Sequence, residues 1–219
     1  SQNNSGFAGT GHGDLFQKGK QWYYVCHTHF SDQQVAPRRT AIVPVDFSSA
    51  RDTGIVIPKF DSAKFRLIDT LDQSAGSIGV AFGDPFILYD KASDQYYLYG
   101  TGGTENGFIA YSSKDLVHWK ESGKVYDGKQ PKAWGTKDFW APEVYAVNDK
   151  YYMYYSAHWK ENPNNELENY RIGIAVADNP LGPFIDLTGK PLFDPGYPII
   201  DANVFRDTNN KNYLFYSRC

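Results

Sequence analysis

The chain predicts an all-β fold, a β-propeller of four-stranded antiparallel blades, on three observations. A hairpin signature recurs, its copies start at nearly even intervals, and no segment sustains an apolar period near 3.6. The first copy, DPFILYDKASDQYYLYG, begins at Asp84; APEVYAVNDKYYMYYS begins at Ala141 and DANVFRDTNNKNYLFYS at Asp201, spacings of 57 and 60 residues. Each is an apolar strand, a polar turn (KASD, VND, DTNNK), and an aromatic strand that returns. A fourth copy, GDLFQKGKQWYYVCHT, begins at Gly13.

Between copies lie further strands. FIAYSS after the first copy corresponds to RIGIAVA after the second, and the KDLVHW turn corresponds to NPLGPF. Units of about 60 residues with four strands each read as propeller blades. A sandwich would lack this long-range self-similarity.

Composition agrees. Aromatic residues make up 16% of the 219, with 17 Tyr, 14 Phe and 5 Trp, which favours strands and supplies flat faces for sugar-like ligands. Most of these rings must fill the core, Trp22 and Trp119 among them. A formal charge of -3, with both signs well mixed, argues against nucleic acid or an anionic membrane as partner. No apolar run approaches the roughly 20 residues of a membrane helix. No basic-then-apolar leader opens the sequence, as expected of a mature, trimmed or cytoplasmic form. Cys26 and Cys219 form no disulfide framework and are expected as buried free thiols.

In a propeller the first strand of each blade lines the central channel, so blade-opening residues converge on one funnel. Asp84 and Asp201 occupy the same place in their blades, and Glu143 lies near it in the blade between. Three carboxyl groups are therefore expected at one pocket, where mutual repulsion and burial tune them for acid and base work. Pro85 suits a strand's first residues, where no ladder donor is needed.

These stretches carry a resemblance. GDPFILYD, FWAPEVY and IDANVFRDTNNKNYLFYS resemble the first three blade-opening motifs of glycoside hydrolase family 43, and GTGHGDLF with WYYVCHTHF and RRTAIVPVDF resembles that family's last blade. The resemblance implies a five-bladed propeller that cleaves α-L-arabinofuranosyl or β-D-xylosyl linkages in plant cell-wall polysaccharide with inversion. Residues 1–219 would form one incomplete propeller domain of roughly three and a half blades, with 10–60 as the last blade and 81–219 as the first, second and part of the third. By position, Asp84 resembles the general base and Asp201 the aspartate that raises the acid's pKa. Trp140, Glu143 and His158 fall where the pocket or its rim meets the sugar. Arg38, with Arg39 as alternate, matches an arginine that contacts sugar and carboxylates. His12 matches the histidine beside a water-coordinated ion, often calcium, in the channel; no organic cofactor is implied. Relatives of this kind work outside the cell or in the periplasm.

Two departures stand out. The family's general acid, a glutamate followed by Gly-Pro, has no counterpart in the sequence, and the last-blade motif comes first. A permuted propeller, two propellers in tandem, and a nicked or split enzyme all fit that order. Each asks for a second segment or chain to complete the ring, and an unfinished blade would leave an apolar edge open. The rival reading is a carbohydrate-binding propeller without catalysis. A fructan-cleaving relative is disfavoured because Phe82-Gly83-Asp84 stands where Asn-Asp-Pro would begin. His27 and His29 alternate on one strand but lack the further ligands a zinc site needs. Trp134 is a second candidate for the funnel wall.

Overall fold

The computed structural model describes residues 9–47, 58–69 and 79–219; the 48–57 part of the expected last blade lies outside them. Strands β1 (Gly11–Lys18), β2 (Gln21–Thr28), β3 (Arg39–Asp46), β4 (Lys59–Phe60) and β5 (Arg66–Leu67) form the first sheet. A 3-10 turn, Ser62–Lys64, lies between the last two. The second sheet runs β6 (Gly83–Asp90), β7 (Gln95–Thr101), β8 (Gly107–Ser113), β9 (Lys120–Asp127), and the third β10 (Gly135–Val147), β11 (Lys150–Trp159), β12 (Tyr170–Ala177), β13 (Ile185–Asp186). Strands β14 (Ile199–Arg206) and β15 (Asn212–Arg218) form a two-stranded fourth sheet. Neighbouring strands are antiparallel and, except that β5 pairs with β3, follow sequence order, the up-and-down blade the repeats predict. No helix among the described residues is long and apolar enough to cross a membrane.

The turns follow from local chemistry. Val147 pairs with Lys150 around Asn148 and Asp149, whose φ values of 50° and 60° are those of a two-residue type I′ turn. In the 91–94 turn, Asp90 accepts from the backbone N–H and the hydroxyl of Ser93, an Asx arrangement that begins the turn.

Successive blades pack face to face. Strands β1 and β2 lie against β6, β6 and β7 against β10, and β10, β11 and β12 against β14. One core, with Phe16, Val25, Ile87, Leu98 and Trp119, fills the space between the first two blades. A second, with Phe86, Tyr99, Phe108, Val144, Met153 and Tyr155, fills the next. Leu98 and Trp119 are fully enclosed, and burying a side chain of that size stabilises by about 1.5–3 kcal/mol.

Three expectations are corrected. Trp134 is a core residue and not a funnel wall: it is fully buried, stacked on Tyr155 with ring centres 5.7 Å apart, and shielded by Gly173, where a Cβ would come within 2.4 Å of its ring. Trp22 is exposed, packed edge-on against Phe47 near the start of β2. Cys26 is buried as expected, and burial pushes its thiol up to about 12; Cys219 is exposed.

The outer strands are tied by a buried polar knot. Asp186, on β13, accepts from Tyr155 at 2.5 Å and Tyr126 at 3.0 Å, and the two hydroxyls lie 2.8 Å apart. Hydrogen bonds to a buried carboxylate are strong because their loss strands desolvated groups. Asp186→Ala is expected to cost about 2–4 kcal/mol in denaturant unfolding, and Asp186→Asn clearly less. Equal midpoints for Asp186→Ala and wild type would show that the knot contributes nothing.

Candidate active site

One bulge builds the site four times. Antiparallel pairing slips by a residue after Gly11 opposite His27, Gly83 opposite Thr101, Trp140 opposite Ser156 and Ile200 opposite Ser217. The residue following each slip therefore turns off the ladder: His12, Asp84, Ala141 and Asp201. Three adopt left-handed backbone, with φ of 47° at Asp84, 45° at Ala141 and 58° at Asp201, a conformation aspartate tolerates better than most residues. A bulge of this kind re-aims a side chain at the sheet's edge.

Three of the re-aimed backbone N–H groups find a partner on the preceding blade. Asp84 N donates to His27 Nδ1 at 3.2 Å, Ala141 N to Thr101 Oγ at 2.8 Å, and Asp201 N to Ser156 Oγ at 2.9 Å. These acceptors lie late in the second strands of three consecutive blades, so one hydrogen bond per junction fixes where the opening residue sits. Sequence reading weighed His27 only as a metal ligand and passed over Thr101 and Ser156, although HT, GT and SA stand at the same place in each copy.

The side chains meet at the axis. His12 Nδ1 lies 3.7 Å from Asp84 Oδ1 and 3.8 Å from Asp201 Oδ2, so the two aspartates flank one imidazole. Arg38 Nη1 donates to Asp84 Oδ1 at 3.2 Å, and Thr101 Oγ to Asp84 Oδ2 at 2.6 Å. The guanidinium lies flat over Gly83, where a Cβ would meet Cζ at 2.1 Å; only glycine admits that approach. Arg39 points elsewhere, toward the His29 carbonyl and the Phe30 ring.

Environment separates the two acids. Burial raises the Asp84 pKa, but the polar contact with the His27 ring, the hydrogen bond from Thr101, and the charges of Arg38 and His12 outweigh it and bring the carboxyl to about 2. Asp201 moves the opposite way: burial raises it first, and Asp84's charge adds to that against the pull of His12 and Arg38. Asp84 is thus ionised across ordinary pH. Its side chain is 12% exposed and that of Asp201 29%, so Asp201 faces solvent more openly.

The expectation of three converging carboxylates is corrected. Ala141 holds the blade-opening place, and Glu143 sits two residues deeper, in the position of Asp14, Phe86 and Asn203. There it is buried, and its Oε2 accepts from Tyr145 and, at 3.2 Å, from Asn203 Nδ2. Burial, with Asp14's charge adding, pushes Glu143 up to about 7, against hydrogen bonds from Tyr145 and Asn203. Asp14 is likewise raised to about 7 by burial. An outer ring carrying ionised Asp84 therefore overlies an inner ring carrying two acids held near neutrality.

Two further expected pocket residues pack on one ring. Trp140 is half-buried and stacked on Tyr170 with centres 4.7 Å apart, and the His158 ring meets Tyr170 edge-on at 5.5 Å. Tyr170, which sequence reading did not single out, is the platform that holds both. Among the described residues no group of three His, Cys, Asp or Glu side chains is arranged to hold a metal directly. With Nδ1 turned to the aspartates, His12 keeps Nε2 as its one ring nitrogen for an ion.

A folded-state pKa above the unfolded value means stability is lost as pH rises between the two. Glu143, about 7 folded against 4.5 free, should lower stability between about pH 5 and about pH 8 by up to roughly 3 kcal/mol. Thermal melts of Glu143→Gln should fall less over that range than wild type. Parallel curves would show Glu143 to be solvated in the folded chain.

The model for glycosyl hydrolases family 43 matches residues 78–219. The arabinoxylan arabinofuranohydrolase of Bacillus subtilis is 27% identical over 66% of the chain and 31% of its own length. The xylosidase/arabinosidase of Bacteroides ovatus is 29% identical over 80% of the chain and 45% of its own length. Among solved structures, a thermostable family-43 glycoside hydrolase is 40% identical at a TM-score of 0.55, over 62% of the chain and 41% of that protein. An endo-arabinase from Bacteroides thetaiotaomicron is 33% identical at 0.53, over 62% and 44%. The chain spans less than half the length of each. A match over well more than half the sequence, on blades that carry their acids at the axis, makes this chain a member of glycosyl hydrolase family 43.

Proposed function

We propose that the chain forms the base-bearing half of an inverting glycosidase for α-L-arabinofuranosyl or β-D-xylosyl linkages. The observation that carries this is the pairing at the axis, where Asp84 and Asp201 come from separate blades, flank His12 and are driven apart in pKa. Arabinoxylan or arabinan as substrate is supported by the names of the relatives, an arabinoxylan arabinofuranohydrolase and a xylosidase/arabinosidase. A relative from Thermotoga petrophila is named extracellular, which supports a secreted or periplasmic setting.

Asp84 takes a proton from a water on one face of the sugar as that water's oxygen bonds to the anomeric carbon. The glycosidic C–O bond breaks, and the leaving oxygen receives a proton from a carboxylic acid opposite, roughly 6.5–9.5 Å from the base to admit the water. Thr101 and Arg38 hold the Asp84 carboxylate without filling its acceptor sites, because two oxygens offer about four lone pairs. Asp201 is the neighbouring charge that keeps the acid protonated. Trp140 and His158, set on Tyr170, and Arg38 are the sugar contacts. Glu143 has an acid's protonation but lies beneath the pocket, locked by Tyr145 and Asn203, so it supports the floor. The acid is then a glutamate on polypeptide other than residues 1–219. An ion such as calcium beside His12 Nε2, held through water, would add positive charge to the channel; oxygen-rich coordination suits that cation.

In the assembled enzyme, Asp84→Asn should lower turnover of nitrophenyl α-L-arabinofuranoside or β-D-xyloside by roughly a hundred- to ten-thousand-fold. The first-formed sugar seen by proton NMR should have inverted anomeric configuration. Wild-type turnover in that variant removes Asp84 as base, and a retained anomer removes the mechanism. Binding of oligosaccharide without any sugar release would identify a non-catalytic propeller instead.

A further inference from the structure

Arg171 is a fully buried cation next in sequence to the Tyr170 platform. It pairs with Ala157 on β11, as Tyr170 pairs with His158. Its guanidinium donates four hydrogen bonds: Nε to Asp194 Oδ1 at 2.8 Å, Nη1 to Glu166 Oε2 at 2.8 Å and to the Tyr170 carbonyl at 2.9 Å, and Nη2 to Glu166 Oε1 at 3.0 Å. Its Cζ lies 5.6 Å from the centre of the Trp159 ring, which follows His158.

Each carboxylate belongs to a segment that leads to the pocket. Glu166 lies in the loop between β11 and β12, which begins after Trp159 and ends on Tyr170. The neck of that loop is closed: Trp159 N donates to the Asn169 carbonyl at 2.8 Å, and Asn169 Nδ2 donates to the Trp159 carbonyl at 2.9 Å. Further out, Glu166 N donates to Asn162 Oδ1 at 2.8 Å, and Asn162 Nδ2 donates to the Glu166 carbonyl at 2.8 Å. Asp194 lies in the segment that passes β12, where Leu192 N donates to the Ile172 carbonyl at 2.8 Å. Its Oδ1 also accepts from Gly196 N at 2.9 Å, and the chain then enters β14, whose bulge presents Asp201. One guanidinium thus joins the loop that ends on Tyr170 to the entry of the strand that carries Asp201.

Burying such a charge adds little net stability, because desolvation cancels most of the attraction. What a guanidinium adds is direction. Its planar fork holds several acceptors at set angles, which an ammonium does not. We propose that Arg171 is a positioning residue of the pocket, holding the Tyr170 platform through Glu166 and Asp201 through Asp194. The proposal rests on the reading of Trp140 and His158 as sugar contacts and of Asp201 as the acid's neighbour, and adds the side chain that sets their spacing.

Glu166→Gln and Asp194→Asn separate the two arms. Both carboxylates reach solvent in part, 13% and 31% exposed, so both variants are expected to fold. In the assembled enzyme, misplacement of a pocket group by about 1 Å costs up to roughly a hundredfold. Glu166→Gln should raise KM for the nitrophenyl glycosides about tenfold with kcat within about twofold. Asp194→Asn should do the reverse, lowering kcat about tenfold with KM within about twofold. Arg171→Lys, which keeps the charge and loses the fork, should show both defects. In the folded chain, nuclear Overhauser contacts between the Trp140 and Tyr170 rings should weaken in Glu166→Gln and not in Asp194→Asn. The Asp201 carboxyl should titrate closer to its free value in Asp194→Asn and not in Glu166→Gln. These spectra do not depend on turnover, so an assembled wild type that releases no sugar sinks the glycosidase reading and leaves this one to the spectra. Variants that melt lower yet keep wild-type KM, kcat and spectra would make Arg171 a structural post and overturn the proposal. One and the same defect in both amide variants, or wild-type behaviour of Arg171→Lys, would overturn it too.

Discussion

The hydrogen bond between a blade-opening N–H and a side chain late in the preceding blade's second strand is the constraint on which the rest depends. A bulge alone would turn Asp84 or Asp201 out of the ladder but leave the peptide free to rotate. Anchoring the N–H to His27 or Ser156 fixes that peptide, and only then does the carboxylate have a defined place. The left-handed backbone at these positions costs of order 1 kcal/mol each. Packing between neighbouring blades offsets it.

Thr101 shows how the constraint becomes chemistry. Its hydroxyl accepts the Ala141 N–H while donating to Asp84, so one side chain joins a structural junction to the proposed base. Arg38 is positioned by a different device, a glycine that lets the guanidinium lie on the backbone. The outcome is a carboxylate held ionised by two donors, Arg38 and Thr101, and by neighbouring positive charge in a partly buried site. Below it, Asp14 and Glu143 lack such partners in sufficient strength and drift toward neutrality. The axis is thus layered by protonation state, and the layering follows from burial below and from the positive charge beside Asp84 above.

Much of the blade order was legible in the sequence because the hairpin repeats at even spacing and its turns use Asn, Asp and Gly where left-handed backbone is needed. Asp84 and Asp201 were legible as partners for the same reason. Glu143 misled: in DPF, APE and DAN the acid shifts by two places, and period-two alternation keeps it on the channel side while moving it a layer deeper. The shared role of His27, Thr101 and Ser156 was hidden because chemically unlike groups perform it, accepting a hydrogen bond. Trp134 misled as a wall of the funnel because its burial behind Gly173 depends on a strand distant in sequence. Tyr170 lies outside the hairpin copies that were aligned.

The central claim is that two acids from different blades share one electrostatic site. Carboxyl carbon-13 titration of Asp84 and Asp201 in the folded chain tests it most directly. The account predicts that Asp84 titrates near 2 and Asp201 above its free value, with Asp201 falling toward that value in Asp84→Asn. Two independent titrations near the free aspartate value, unchanged by that substitution, would contradict it.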